Sequence, residues 1–361
     1  MSHGDYLISV PLTPLIGHSA LRARLDEQVR RGTLASSILF TGPAGIGKQR
    51  LALWLAQRLL CEADNAPCGT CQHCRYSLEG THPDQHWIFP RPNLKDPDTP
   101  PEDVAADYGE AIAERIAEGG LYARPDGSAG MFRYTTRMLV SYSTRAPALA
   151  RRKVFVVGDA ERMVPQAASQ EAANAFLKLL EEPAANTTII LTSSESGALL
   201  PTIRSRVIAV RVRPLGAAEM REFLALPAAA PLLKQGTTDE LISLARGAPG
   251  ALVDAEPRAA ARVRAGALLN AATRSRDKIY RVAYAQGASG ARGGFSDALD
   301  ALSELLHEQT RQATDVGDGT MAAAGARAML LVENAKRDAE RNATPQLVAF
   351  RLLTKLSETL P

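Results

Sequence analysis

Short apolar runs alternate with amphipathic stretches over the first two hundred residues of the chain. Residues 37–40, 154–157, 188–192 and 207–212 form short, mostly apolar runs that are rich in β-branched side chains. Runs of this kind are typical of strands buried on both faces, and residues 48–60 have the pattern of a helix. The sequence therefore predicts an α/β domain in which helices cover both faces of a parallel sheet.

A segment inside this region breaks the alternation. Prolines crowd the start of residues 91–130, acidic residues are frequent in it, and turn-forming residues close it. This composition indicates an insertion that is helical near residues 110–117 and otherwise a mobile loop.

After Pro214 the pattern becomes wholly helical. It predicts helices over residues 216–226 and 238–245, joined by an Ala/Pro linker, and amphipathic helices from about residue 256 with a Gly-rich break at 287–294. The predicted domains are residues 1–212, 213–255 and 256–361.

Length, charge and composition limit the number of domains and argue against a membrane protein, but they do not identify a function. A length of 361 residues suits two or three domains, and a net charge of +3 does not mark the whole chain as a nucleic-acid binder. No stretch approaches the roughly 20 apolar residues that cross a bilayer. Residues 1–10 lack the pattern of a signal peptide, so we expect a cytoplasmic protein without a membrane partner.

A glycine-rich loop between the first predicted strand and helix points to phosphate binding. Gly42, Gly45 and Gly47 allow backbone N–H groups to converge on phosphate oxygens, and Lys48 at the start of the helix would neutralise them. A Ser or Thr hydroxyl normally contacts Mg²⁺ at the next position, where this chain has Gln49. We expect ATP or ADP binding to be weak or absent and Mg²⁺ to be held poorly.

All four cysteines lie within one short segment. Cys61, Cys68, Cys71 and Cys74 have the spacing C-x6-C-x2-C-x2-C, which suits tetrahedral, structural Zn²⁺. His73 adds a fifth candidate ligand that a closed site does not need. Four reduced thiols without a metal, or a redox C-x-x-C pair, remain the alternatives.

With these motifs the chain resembles the AAA+ subunits of bacterial clamp loaders, and among them the delta-prime group. The resemblance covers about residues 10–212 and rests on motifs besides the phosphate loop and the cysteines. These motifs are residues 15–18, 80–84, 153–163, 173–183 and 200–206, with a weaker match at 342–347. The resemblance implies an AAA+ α/β P-loop domain with a parallel sheet, a small helical lid domain and a C-terminal, all-helical collar domain.

The resemblance also implies roles for individual residues. Gly158 and Asp159 stand where active members have an Asp that holds Mg²⁺ and a Glu that orients water, so the metal carboxylate is missing. Ser193 or Ser194 falls at a polar sensor position. Gly250 stands where active subunits place an arginine on the phosphates.

Arg206 is the one catalytic group that the resemblance retains. It corresponds to the arginine of a Ser-Arg-Cys motif, in which Val207 replaces the Cys, and it would act in trans as an arginine finger on the ATP of a neighbouring subunit. A surface arginine in a local ion pair is the alternative.

The function implied by the resemblance is that of a subunit rather than an independent enzyme. We expect a heteropentamer with gamma/tau- and delta-type clamp-loader subunits, which loads a sliding clamp onto primed DNA while this chain hydrolyses no ATP of its own. The alternatives are an active gamma/tau-like ATPase subunit, in which Gln49 and Asp159 suffice, and a zinc-dependent DNA-binding module.

Overall fold

The structure is a computed structural model with two compact units. It describes residues 12–94, 96–123, 129–163, 170–253, 255–274, 276–287, 292–340 and 343–360. Within these, residues 12–123 and 129–253 form the first unit, and residues from 255 onward form the second. The expectation for residues 1–10 and residues 288–291 of the Gly-rich break lie outside the described residues. The predicted break is wrong at residues 292–294, which belong to a helix.

A five-stranded sheet organises the first unit. Its strands are β1 (Ser37–Thr41), β2 (Gln85–Ile88), β3 (Lys153–Val157), β4 (Thr187–Ser193) and β5 (Ile208–Arg211). They lie in the order β2-β3-β4-β1-β5, and every pairing is parallel. The predicted α/β fold with a parallel sheet is therefore confirmed. The pattern analysis did not predict β2, because its short run contains a Gln and a His.

Helices connect the strands and cover the sheet. In the first unit they are α1 (Ser19–Arg30), α2 (Lys48–Leu60), α3 (Gln72–Leu78), α4 (Pro101–Ala117), α5 (Arg133–Thr144), α6 (Gln170–Glu181), α7 (Pro201–Arg204), α8 (Ala217–Leu224), α9 (Thr238–Ala245) and α10 (Gly250–Val253). The side chains of β1, β3 and β4 are almost completely buried, as expected for a sheet covered on both faces.

The insertion contains more helix than the sequence predicted. Helix α4 spans Pro101–Ala117, whereas helix was expected only near residues 110–117. Of the prolines that suggested a loop, Pro100 and Pro101 lie at the start of the helix, where a missing N–H costs nothing. Glu102 and Asp103 complement the helix dipole in the first turn. Val104, Tyr108 and Ala111 bury the inner face of α4 against the main core.

The remaining elements are helical, as predicted. Helices α8 and α9 enclose a small apolar cluster around Met220 and Phe223. The second unit comprises α11 (Ala255–Ala272), α12 (Arg276–Tyr284), α13 (Arg292–Asp315), α14 (Gly319–Glu340) and α15 (Pro345–Thr359), with a core of its own. The division of the first unit at residue 212 stays a prediction. Among the described residues, no helix has both the length and the apolar character that crossing a bilayer requires.

Candidate functional site

The phosphate loop joins the carboxyl end of β1 to the amino end of α2. Gly45 and Gly47 have φ angles of 77° and 89°, in a region of backbone conformation that residues other than glycine rarely adopt. A β-carbon on Gly42 would lie 2.4 Å from the carbonyl oxygen of Val212. The sequence thus folds here into the strand–loop–helix arrangement that phosphate binding requires.

Lys48 is buried at the first position of α2. Its ammonium group donates hydrogen bonds to the carbonyl oxygens of Gly42 and Pro43 at 2.9 and 2.7 Å and to the Ser194 hydroxyl at 2.9 Å. The ammonium group is therefore held next to the loop that would bind the phosphate groups.

The side-chain amide of Gln49 forms hydrogen bonds with three other side chains of the protein. Its Oε1 accepts hydrogen bonds from Trp87 Nε1 at 3.0 Å and from the Tyr122 hydroxyl at 2.9 Å. Its Nε2 donates to Asp159 Oδ2 at 3.0 Å. An amide oxygen has two lone pairs, so neither is left for a metal ion.

Gly158 provides the space that Gln49 occupies. A β-carbon on Gly158 would lie 2.4 Å from both Cδ and Nε2 of Gln49. The position that carries a metal-binding carboxylate in active relatives of the motif therefore cannot carry one here without displacing Gln49. Gln49 and Gly158 therefore offer no ligand to Mg²⁺.

Three side chains of this network escaped the sequence analysis. Trp87 lies in β2, Tyr122 follows the inserted helix, and Arg115 of that helix lies between aromatic rings. The Arg115 guanidinium is 3.3 Å from the ring centre of Phe89 and 3.7 Å from that of Tyr122. Burial lowers its pKa. The insertion thus supplies a hydrogen-bond donor to Gln49, a contact that no sequence motif encodes.

Of the two candidate sensor serines, Ser194 contacts the phosphate-loop lysine. The Ser193 hydroxyl is fully buried and accepts from the N–H of Glu195 at 3.1 Å. Glu161, a further residue not predicted, accepts from the Ser194 N–H through Oε1 at 2.9 Å. Burial raises the pKa of Glu161, and its Oε2 has no hydrogen-bond partner among the described residues.

The segment that follows β5 approaches the phosphate loop through glycine backbone. The Gly250 N–H donates to the Gly45 carbonyl at 3.0 Å, and a β-carbon on Gly250 would lie 2.8 Å from Gly45 Cα. His18 lies against the same loop, with Nε2 3.0 Å from the Ile46 carbonyl oxygen. An arginine at position 250 would not fit this close contact.

Arg206 follows α7 and lies at the amino end of β5. Its NH2 group forms an ion pair with Glu181 Oε1 at 2.6 Å, and its NH1 group donates to the Thr202 carbonyl oxygen at 2.8 Å. The side chain is 27% exposed. The structure places the residue in a local ion pair within the chain and leaves its role in trans untested.

The four cysteines converge as their spacing predicted. Their sulfur atoms all lie within 4.8 Å of one another. The separations Cys61–Cys68, Cys61–Cys71 and Cys68–Cys74 are 3.7, 3.8 and 3.9 Å. A tetrahedron with zinc–sulfur bonds of about 2.3 Å has edges of about 3.8 Å. The cluster therefore fits a tetrahedral metal ion.

Backbone N–H groups point at three of the four sulfur atoms. The N–H groups of Cys68, Cys71 and Cys74 point at the sulfurs of Cys61, Cys68 and Cys71 at 3.4–3.5 Å. The hydrogen bond from Cys71, joined by others from Thr70, lowers the pKa of Cys68 to about 6, whereas burial raises the pKa of Cys71 and Cys74. His73 contacts His82 at 3.0 Å and lies outside the sulfur cluster.

The phosphate loop, the cysteines and Arg206 all fall within the part of the chain that matches a known family. The sequence profile of the family described as "DNA polymerase III, delta subunit" matches residues 17–216. This is more than half of the 361 residues.

Individual relatives carry related names. "DNA polymerase III subunit delta'" of Pseudomonas aeruginosa is 32% identical over 221 residues, which are 61% of this chain and 55% of that protein. The protein of the same name from Bacillus subtilis is 27% identical over 192 residues, covering 53% and 46% of the two chains. "DNA polymerase III subunit gamma/tau" of Mycobacterium tuberculosis is 30% identical over 213 residues, covering 58% and 30%. The chain spans about half the length of the delta' relatives it matches.

Among solved structures, the chain is similar to a DNA polymerase III gamma subunit-related protein of Thermotoga maritima. The TM-score is 0.39 at 18% identity, over 93% of this chain and 99% of the other.

Proposed function

The chain belongs to the DNA polymerase III delta-subunit family, and on that premise we propose that it is the delta-prime-type subunit of a bacterial clamp loader. The match of residues 17–216 to this family, with curated relatives named delta', carries the proposal. In this role the chain joins gamma/tau- and delta-type subunits in a heteropentamer. The assembly loads a sliding clamp onto primed DNA at the expense of ATP.

This subunit hydrolyses no ATP itself. Hydrolysis requires a metal ion on the phosphates and a group that orients water. Both lone pairs of the Gln49 amide oxygen are engaged by Trp87 and Tyr122, and Gly158 has no carboxylate. Lys48 and the loop remain, so weak nucleotide binding without efficient turnover is the expected residual property.

Arg206 acts on the ATP of a neighbouring subunit. A guanidinium cannot lose its proton and can spread positive charge over the oxygens of a transferring phosphoryl group. Arg206 is partly exposed, and among the described residues its only ion-pair partner is Glu181. These features support an arginine finger supplied in trans.

The sulfur cluster holds Zn²⁺ in a structural role. Cys61, Cys68, Cys71 and Cys74 would occupy all four positions, so the ion offers no open site for a substrate. When bound, the ion supplies a cross-link between α2, whose C-terminal neighbour is Cys61, and α3, which contains Cys74.

The second unit serves as the collar that packs against sister subunits. Its helices carry large apolar side chains in solvent: Tyr280, Tyr284, Leu330 and Leu347 are 63%, 82%, 66% and 68% exposed. Large apolar side chains in solvent are available to an interaction surface, which supports the collar role. The lid over residues 213–255 and the collar over 256–361 are parts of the same proposal.

Co-purification followed by reconstitution tests this function. We expect the chain to assemble with gamma/tau- and delta-type subunits, and we expect clamp-dependent ATP hydrolysis and clamp loading to require it. A loader that assembles and loads clamps at the full rate without this chain would refute the proposal.

A further inference from the structure

Glu181, at the end of α6, is the residue that fixes the geometry of Arg206. We propose that Glu181 is a positioning residue for the arginine finger, an inference that rests on the proposed function. Neither the sequence motif nor the family match assigns a role to this carboxylate.

The contacts around the guanidinium are specific. NH2 lies 2.6 Å from Glu181 Oε1, and NH1 donates to the Thr202 carbonyl at 2.8 Å and to the Ser205 hydroxyl at 3.3 Å. Nε is buried and has no hydrogen-bond partner among the described residues. Two edges of the planar group are therefore anchored, and the second hydrogen of NH2 is left to bind a phosphate oxygen.

The anchoring matters because an arginine side chain is long. A free arginine loses considerable rotamer freedom when it is fixed on a ligand. Glu181 and Thr202 fix it before the neighbouring subunit arrives, so less freedom is lost when the phosphate is bound. A preorganised charge also needs no rearrangement during the reaction.

Glu181 is itself placed by the fold. The preceding carbonyl, that of Leu180, accepts a hydrogen bond from the buried Ser37 hydroxyl at 2.9 Å, which ties the end of α6 to the start of β1. The Arg206 side chain is 27% exposed and that of Glu181 is 48% exposed. The pair thus lies at the surface, where a neighbouring subunit can reach it. The backbone beside Glu181 is fixed to the sheet by the hydrogen bond from Ser37.

Glu182 provides a matched control in the same motif. It is the next residue, it is exposed, and its side chain has no ion-pair or hydrogen-bond partner in the part of the chain that the structure describes. A general effect of removing a carboxylate from this helix end would appear in both variants.

The test uses the whole loader, reconstituted with sister subunits, sliding clamp and primed DNA. Steady-state ATP hydrolysis is measured with the wild-type chain and with Glu181→Ala, Glu181→Gln, Glu182→Ala and Arg206→Ala. Because a finger acts mainly in the transition state, we expect Glu181→Ala to lower kcat about fivefold with little change in KM. Glu181→Gln, which keeps the acceptor oxygen, should lose less, and Glu182→Ala should behave as wild type. Incorporation of each variant into the loader is checked by gel filtration.

The possible outcomes separate this inference from the proposed function. If Arg206→Ala lowers kcat while Glu181→Ala matches wild type or is faster, the arginine-finger role is supported and the positioning role of Glu181 is overturned. Equal losses for Glu181→Ala and Glu182→Ala also overturn it. If Arg206→Ala has no effect, the finger itself fails and the inference falls with it.

Discussion

The amide group of Gln49 fills the space in which a side chain on Gly158 would begin. A β-carbon built on Gly158 lies 2.4 Å from Gln49 Cδ, closer than any real packing contact. The residues at positions 49 and 158 are therefore one structural exchange, in which a hydrogen-bonded amide occupies the space that a side chain at position 158 would need. The exchange is completed by Trp87 and Tyr122, which donate to the same amide oxygen.

This exchange predicts that the two positions are energetically coupled. Gly158→Asp alone should cost about 1–3 kcal/mol, because the new side chain displaces Gln49. Gln49→Thr alone should cost a similar amount, about 1–3 kcal/mol, because two buried donors lose their acceptor. The double variant should cost less than the sum by at least about 1 kcal/mol. Urea unfolding followed by tryptophan fluorescence measures these values, since Trp54 and Trp87 both lie in the first unit.

Strictly additive costs in this double-mutant cycle would show that Gln49 and Gly158 do not share the space, and the account of the metal position would then be wrong.

The sulfur cluster predicts one tightly bound zinc ion per chain. Cys71→Ser should reduce the bound zinc well below one equivalent after gel filtration and lower the unfolding temperature, because the link between α2 and α3 is lost. His73→Ala is the control, since His73 contacts His82 and lies outside the cluster. It should retain the full equivalent of zinc. Elemental analysis that finds no zinc in the wild-type chain, purified without chelators, would contradict the assignment.

His86 should make the first unit less stable as the pH falls. Burial lowers its pKa to about 4 in the folded state, from an ordinary value of 6.5, and its ring stacks on that of Phe155. Below pH 6.5 the unfolded chain takes up a proton that the folded chain does not. Proton uptake by the unfolded chain favours unfolding. The contribution of the neutral His86 ring to the free energy of unfolding is therefore complete above pH 6.5 and is lost as the pH falls toward 4. Between pH 7 and pH 5 the loss should be roughly 2 kcal/mol in the free energy of unfolding.

The variant His86→Phe keeps an aromatic ring on Phe155 and removes the titrating group. Its unfolding free energy should fall by roughly 2 kcal/mol less than that of the wild type between pH 7 and pH 5. An identical pH dependence in both proteins would exclude His86 as the cause.

Gly250 should tolerate no side chain, whereas a helical glycine elsewhere should. A β-carbon on Gly250 would lie 2.8 Å from Gly45 Cα, which is backbone and cannot rotate away. Gly250→Ala should therefore lower the unfolding temperature of the first unit. Gly266→Ala, in α11, adds a β-carbon with nothing within 4 Å and should stabilise its helix by up to about 1 kcal/mol. Calorimetry that finds the two variants equal would contradict the close contact between Gly250 and Gly45.

Local patterns predicted much of this fold and site. The strand–loop–helix context placed Lys48 correctly at the start of α2, because glycine spacing and helix start signals act over a few residues. The cysteines also converge, since all four lie in one short segment. Where the determinants are neighbours in sequence, composition and spacing are sufficient.

Contacts between distant segments could not be predicted. The donors to Gln49 are 38 and 73 residues away, in a strand that the pattern did not indicate and in an insertion interpreted largely as loop. The ion pair of Arg206 with Glu181 likewise depends on how α6 and α7 pack. Side-chain hydrogen bonds of this kind leave no periodicity in the sequence, so only the fold reveals them.

Steady-state ATP hydrolysis by the purified chain alone, with Mg²⁺ present, tests the central claim most directly. The account predicts phosphate release at the background rate, unchanged by Lys48→Ala, while the same preparation supports hydrolysis once sister subunits, clamp and primed DNA are added. A robust rate for the isolated chain that disappears in Lys48→Ala would contradict it and identify an active, gamma/tau-like ATPase subunit instead.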